Sequence, residues 1–230
     1  SRLCIFEFIY FARPDSFLDG ASVYQARIEA GRRLAMEHPV ESDLVIGAPD
    51  SGITAAIGYS MESGIPYGQG LIKNRYVGRT FIQPTQAQRE TGVRIKLNVM
   101  KNAIEGKRLV IIDDSIVRGT TTKRIVQALK EAGAKEVHMR VSSPPMKYPC
   151  YFGVDIPSSK QLVASISSVE EVRKLIGADS LAYLSLEGLL STPVGARCGF
   201  CSACFSGEYP MEVPREGSKN LMDRKRQAKI

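Results

Sequence analysis

The sequence predicts an α/β fold built around a parallel sheet, and three observations carry that prediction. Short apolar runs alternate with helical stretches: "DLVIGAP" precedes "DSGITAAIGYSMESG", "KRLVIIDDS" precedes a helical pattern, and "EVHMRVSSPP" follows it. Each run is almost wholly apolar, as a strand must be when helices cover both faces of its sheet. The polar stretches "APDSG" and "DDSIVRGTT" both fall just past a strand, at the carboxyl edge where open α/β sheets bind ligands.

Taken in order, Leu3–Phe11 reads as a first, buried strand entering the loop "ARPDSFLDG". A helix follows over Val23–Glu37, where Tyr24, Ile28, Gly31 and Ala35 share a face and Pro39 lies just beyond the end. "DLVIGAP" is the next strand, with a loop and helix in "DSGITAAIGYSMESG", and "PYGQGLIK" is the second of the repeating unit. From Asn74 to Asn98 runs a long connection rich in Arg and Gln, without a clean period; a connection of that length in a compact domain reads as a functional lid. "KRLVIIDDS" is the third strand. The helix after it, Thr121–Ala132, buries Ile125, Val126 and Leu129 and stops at Gly133. "EVHMRVSSPP" is the fourth strand, and "SLAYLS" is read as another. Periodicity ends near Gly207, which divides the chain into a domain over residues 1–206 and a basic, mobile tail over 207–230.

Bulk properties narrow the function classes. With 43% apolar and 24% charged residues over 230 positions, the chain has the composition of a soluble globular protein with a substantial core. No apolar run is long enough to cross a bilayer, "LCIFEFIYFA" is interrupted by Glu7, and no signal-peptide pattern opens the chain. Five cysteines, an odd number in a chain of this size, argue for a reducing compartment. The net charge of +7 suits nucleic acid or small phosphorylated substrates, and part of it sits in "DRKRQAKI" near the C-terminus.

The stretch "VIIDDSIVRGTT", Val110–Thr121, carries the most chemistry. Ser115, Ile116, Val117, Arg118, Gly119, Thr120 and Thr121 lead into a helix N-terminus, whose unpaired amides and partial positive charge attract anions. Gly119 allows close approach or positive φ, and the threonine hydroxyls add donors, so the loop is shaped for a phosphate monoester. Asp113 and Asp114, side by side, repel each other unless a divalent cation or vicinal hydroxyls engage them. Together these features describe a ribose 5-phosphate site. The bland reading is a pair of solvated turn aspartates with Thr120 as an N-cap; strand, Asp-Asp, Gly-Thr-Thr and helix in succession weigh against it.

At this point the sequence resembles a family. "VIIDDSIVRGTT" is similar to the phosphoribosyl-pyrophosphate (PRPP) motif of type I phosphoribosyltransferases. "FEFIYFARPDS", "APDSGITAA", "QGLIKNRYVGRTFIQP", "VRIKLN", "PCYFGVDIP" and "CFSGEYP" extend the resemblance over nearly the whole chain, to the C-terminal half of the glutamine PRPP amidotransferases. The resemblance implies a type I phosphoribosyltransferase fold, and a reaction in which ammonia displaces pyrophosphate from PRPP to start purine synthesis. It implies that Ser51 and Gly52 of "APDSG" bind pyrophosphate, and that Asp113, Asp114 and Ser51 hold Mg²⁺. Ser115, Val117, Arg118, Gly119, Thr120 and Thr121 would bind the 5-phosphate, and Lys73, Arg75 and Arg79 would neutralise the leaving group. Purine nucleotides are implied as inhibitors and a homo-oligomer as the assembly. Nothing here matches the family's glutaminase domain: Ser1 is not a thiol, and Cys4 lies in a strand pattern. Glutamine hydrolysis is therefore not expected of this chain alone, and its ammonia would be free or come from a glutaminase domain or chain. The expected compartment is the cytoplasm, or a plastid after loss of a transit peptide.

Cys198, Cys201 and Cys204 form "CGFCSAC", overlapping C-x₂-C steps that suit zinc or an iron–sulfur cluster; Cys4 and Cys150 could equally be inert buried thiols. The resemblance implies a [4Fe–4S] cluster held by Cys4, Cys150, Cys201 and Cys204, with Cys198 spare, stapling a C-terminal cysteine-bearing extension to the first strand. Two other readings stand beside the enzyme. One is a non-catalytic regulator of the same fold that senses PRPP or nucleotide and binds nucleic acid, although no winged helix, aromatic-studded basic face or Trp supports it. The other is a scaffold subunit that binds nucleotides allosterically.

Overall fold

The computed structural model describes residues 2–73, 97–154 and 159–213. From the N-terminus, strand β1 (Arg2–Cys4) leads into a π-helical turn (Glu7–Phe11) and the short hairpin β2 (Phe17–Leu18) and β3 (Ala21–Ser22). Helix α1 (Val23–Glu37), strand β4 (Leu44–Gly47), helix α2 (Gly52–Ser63) and strand β5 (Leu71–Lys73) follow. The middle of the chain holds β6 (Leu97–Val99), α3 (Lys101–Ile104), β7 (Arg108–Asp113), α4 (Thr120–Glu131) and β8 (Glu136–Val141). The last third adds α5 (Val163–Ile166), α6 (Val169–Ile176), β9 (Ser180–Tyr183), α7 (Leu186–Leu190), β10 (Gly199–Cys201) and α8 (Ala203–Ser206). No helix among the described residues is long and apolar enough to cross a membrane.

The main sheet is parallel, in the order β4-β7-β8-β9, and Leu44, Leu109 and Val137 stand side by side across it. Both faces are covered, as its apolar strands require. Val45, Val110 and Ile112 pack under α1 and α2 against Ala30, Leu34, Ala56 and Tyr59. Ile46, Leu109, Ile111, Val137 and Met139 pack on the opposite face against Ile125, Val126 and Leu129 of α4 and Val172 and Ile176 of α6. Each fully buried aliphatic side chain contributes about 1.5–3 kcal/mol relative to exposure, so this two-sided core is what makes the strand ends rigid. Helices α1 and α2 nearly touch: a Cβ on Gly31 would stand 1.9 Å from the Ala55 carbonyl oxygen.

The expected helices at 23–37 and 121–132 appear as Val23–Glu37 and Thr120–Glu131, and "SLAYLS" contains β9. Two expectations need correction. Of the strand expected over Leu3–Phe11, only its first residues are extended; Arg2–Cys4 pairs in parallel with Gly199–Cys201, and Glu7–Phe11 is helical. An apolar run of this length reads alike as buried strand or buried helix. Aromatic packing of Phe6 on Phe205 and Phe8 on Phe200 accompanies the helical turn. "PYGQGLIK" touches the main sheet through one bridge, Val45 with Tyr67, after which Leu71–Lys73 pairs antiparallel with Leu97–Val99 instead. Of the long connection, residues 74–96 lie outside the described residues. Of the tail read over 207–230, the beginning is packed: the Tyr209 hydroxyl donates to the Pro149 carbonyl at 2.7 Å, and residues from 214 lie outside the described residues.

Candidate functional site

Because β4 and β7 are parallel neighbours, both release their chains at the same edge, where the Ala48 amide donates to the Ile112 carbonyl at 2.8 Å. Beyond β4 the chain turns through Ala48–Ser51 into α2. A Cβ on Gly52 would come within 2.3 Å of the Ile112 carbonyl oxygen, so glycine alone lets α2 begin against β7. Beyond β7, residues 114–119 loop into α4. Gly119 occupies its N-cap with φ of 75° and offers no side-chain cap, which leaves the first-turn amides of α4 for an external acceptor. Thr120 and Thr121 are exposed at that end.

The acidic pair sits between these two turns. The Asp114 amide donates to Asp113 Oδ1 at 2.9 Å, and the Ser115 hydroxyl donates to Asp114 Oδ1 at 2.7 Å. Burial, and then the neighbouring Asp114 carboxylate, push the Asp113 carboxyl well above the usual carboxylate range. Burial also pushes Asp114 up, opposed by hydrogen bonds from the Ser51 and Ser115 hydroxyls and by the charge of Arg27. Ser51 thus ties the first turn to the second. Two adjacent carboxylates that resist ionisation, Asp114 buried and Asp113 half-buried, with a hydroxyl between the turns, fit a divalent cation, whose charge would return both to the ionised form.

The remaining predicted residues divide. Val117 accepts at its carbonyl from the Val163 amide at 2.9 Å, and the Arg118 guanidinium donates to the Gln161 side chain, so both anchor the loop to the following segment. Lys73 comes to the first turn, where its Nζ meets Asp50 Oδ2 at 2.6 Å beside a cavity of about 500 Å³ walled by Pro49, Tyr67 and Asn98. Arg75 and Arg79 lie outside the described residues. Sequence reasoning missed Arg27. It is 6% exposed, and its Nε and Nη2 each donate at 2.8 Å, to the carbonyls of Phe8 and Ala12. A charged residue between Ala26 and Ile28, on the apolar face of a helix, was the available signal.

A second candidate site lies at the β1–β10 pairing, which sets Cys4 opposite Cys201. Cys4, Cys150, Cys201 and Cys204 line one cavity of about 570 Å³, together with Phe11 and Tyr209. Burial, then the thiols around it, push Cys204 up to about 12, and burial raises Cys4 as well. Cys198 stands apart; its amide donates to Asp19 Oδ2 at 2.6 Å, and Asp19 also engages its thiol. Among the described residues, no group of three or more His, Cys, Asp or Glu side chains is arranged to hold a metal ion.

Residues 21–146 match the phosphoribosyl transferase domain family. The chain is 61% identical over 216 residues to the amidophosphoribosyltransferase of Archaeoglobus fulgidus, covering 93% of this chain and 47% of that protein. It is 58% identical to the amidophosphoribosyltransferase of Synechococcus elongatus, covering 94% of this chain and 44% of the relative. Among solved structures, the glutamine PRPP amidotransferase from B. subtilis complexed with ADP and GMP matches with a TM-score of 0.86 and 54% identity, over 96% of this chain and 50% of that one. The chain therefore spans about half the length of the relatives it matches.

Proposed function

The chain belongs to the phosphoribosyl transferase domain family, and from that premise we propose that it carries the transfer half of an amidophosphoribosyltransferase. In that reaction ammonia displaces pyrophosphate from PRPP and leaves 5-phosphoribosylamine, the opening step of purine synthesis. The observation that carries this reading is the shared edge of β4 and β7, where the Ala48–Gly52 turn, the buried acidic pair and the uncapped start of α4 meet.

Each residue then has a task. The first-turn amides of α4 with Thr120 and Thr121 bind the 5-phosphate, and Gly119 lets it approach the backbone. Asp113 and Asp114 accept hydrogen bonds from the ribose hydroxyls and orient the anomeric carbon. Ser51 and Gly52 donate to the pyrophosphate, and Lys73 exchanges its Asp50 partner for that anion, joined by Arg75 and Arg79. Positive charge developing on the ribose ring is stabilised by groups already in place, which is where such a site gains rate. Mg²⁺ held by Ser51, Asp113 and Asp114 would neutralise pyrophosphate as it leaves. Ammonia would reach the site free or from a glutaminase domain or chain, in a cytoplasmic homo-oligomer. A 5′-phosphate cradle of this kind also suits purine nucleotides as inhibitors, in keeping with the ADP and GMP named in the B. subtilis complex.

By the resemblance, a [4Fe–4S] cluster would have Cys4, Cys150, Cys201 and Cys204 as ligands and Cys198 outside; that the four cysteines line one cavity is consistent with this reading. The cluster's contribution would be structural, clamping β10 and α8 to β1. An anaerobic preparation should contain iron and sulfide; stoichiometric zinc without iron would refute the cluster. The transferase reading is tested by mixing the chain with PRPP, Mg²⁺ and ammonium and following pyrophosphate. No release, with tight and salt-sensitive nucleic-acid binding, would instead favour the regulator, which no present observation supports.

A further inference from the structure

Past Cys204, helix α8 stops at Gly207, which caps it with φ of 80°. A Cβ there would also stand 3.0 Å from Cζ of the Tyr148 ring, so the position needs glycine both for the left-handed turn and for the close approach. The turn brings the following residues back to the thiol cavity, whose wall includes Tyr209, Pro210 and Met211 as well as the four cysteines. Glu208, Pro210 and Met211 are exposed, and Tyr209 between them is half-buried. Its hydroxyl donates at 2.7 Å to the carbonyl of Pro149, the residue before Cys150. Its ring meets those of Tyr151 and Phe152 edge-on, with centroids 5.2 and 6.4 Å away. Closer to the helix the backbone does the holding: the Cys204 carbonyl accepts from the Lys147 and Tyr148 amides at 3.0 and 3.1 Å. The 147–152 loop is thus joined to α8 by main-chain bonds and to the residues beyond Gly207 by one side chain.

We propose that residues 208–211 are a hinged cover for the thiol cavity, with Gly207 as the hinge and the Tyr209–Pro149 hydrogen bond as the latch. How often the latch opens then sets access to Cys4, Cys150, Cys201 and Cys204. Closed, the cavity of about 570 Å³ is walled by Phe11, Phe152 and Met211 beside the thiols, and it turns away chelators and bulky thiol reagents. Opening breaks one hydrogen bond and two ring contacts, a local event rather than an unfolding. Cys198 stands outside the cover: it is not among the described lining residues, and its amide donates to Asp19. The cover serves whatever the thiols hold, so it depends on neither the cluster reading nor the transferase reading.

The probe is N-ethylmaleimide, applied without oxygen to the whole 230-residue chain as isolated, with the labelling rate of each cysteine read from peptide masses. Tyr209→Phe removes the latch hydroxyl and keeps the ring. It should speed labelling of the four cavity cysteines about fivefold, the shift in opening expected for one lost hydrogen bond, and leave Cys198 at its original rate. Tyr209→Ala loses the ring contacts as well and should bring the increase to about fiftyfold. Where the isolated chain carries metal, transfer of that metal to EDTA should quicken by the same factors. Labelling of the cavity cysteines that is no faster in Tyr209→Phe would overturn the proposal. Equal acceleration at Cys198 would overturn it too, because the variant would then be loosening the fold at large and not opening a cover. Tyr209→Phe loses a single oxygen, so it should fold and decide the matter even if Tyr209→Ala does not.

Discussion

An acid stands at each end of strand β7, and the two ends are handled in opposite ways. At its start, Arg108 meets Asp43 completely: the backbone amide donates to Oδ2 at 2.8 Å and Nη2 donates to Oδ1 at 2.9 Å. The hydrogen bonds from Arg108 hold the Asp43 carboxyl down at about 2. At its end, Asp113 and Asp114 crowd each other with no base in contact; hydroxyl hydrogen bonds and the charge of Arg27 offset Asp114 only in part, and both are pushed upward. The apolar residues between, Leu109–Ile112, are fully buried in both cases. An acid that serves the fold brings its own base. An acid that serves a ligand is left unbalanced until the ligand or its metal arrives.

The strongest way to break this contrast is Asp113→Asn or Asp114→Asn. Each should lower PRPP turnover about a hundredfold to a thousandfold, the scale of losing one preorganised electrostatic contact, while the circular dichroism spectrum is retained. Unchanged turnover in either variant would remove that residue from the site. Next in size is Gly119→Val, which forces a β-branched residue into the left-handed region at a strain of roughly 1–2 kcal/mol. Steady-state kinetics should show the Michaelis constant for PRPP raised about tenfold with a smaller change in the turnover number.

The pH dependence should then separate the two ends by sign. Asp113 and Asp114, raised in the folded chain, stay protonated where unfolded aspartates ionise, near about 3.9. Their stabilising contribution is complete below that value and is lost as pH rises through the raised pKa values. Asp43 behaves oppositely: its contribution is complete above the unfolded value and is lost as pH falls toward about 2. Urea unfolding between about pH 3 and pH 8 should show both slopes, and saturating Mg²⁺ should abolish only the first. A metal-independent profile would mean that the pair does not bind the ion. The smallest effect is expected of Asp43→Asn, which should leave turnover within about twofold and remove only the acid-side slope.

Much of the strand-end site was legible because it is local. Residues 110–121 contain the strand, the acids, the left-handed glycine and the helix start, and each was readable from neighbours a few positions away. Helix α1 was legible for the same reason, since Tyr24, Ile28, Gly31 and Ala35 share a face and Pro39 follows it. The turn Glu7–Phe11 was not, because its aromatic residues are equally at home in a buried strand and in a helix. The path of Leu71–Lys73 depended on where Leu97–Val99 lay, and nothing in "PYGQGLIK" refers to that partner. Arg27 acts on Asp114 through its charge although the two are far apart in the chain, a pairing no spacing encodes.

By itself, then, the sequence determined the parallel α/β class, the glycine-bearing loop into α4 and the acidic pair, because backbone conformation and adjacent charge are set within a turn or a strand of each other. Tertiary structure alone decided that Ser51 meets Asp114, that four thiols far apart in the chain share one cavity, and that the Tyr183 hydroxyl has no hydrogen-bond partner among the described residues. Those outcomes depend on which buried surfaces meet, and apolar burial rewards area without naming the residue on the other side.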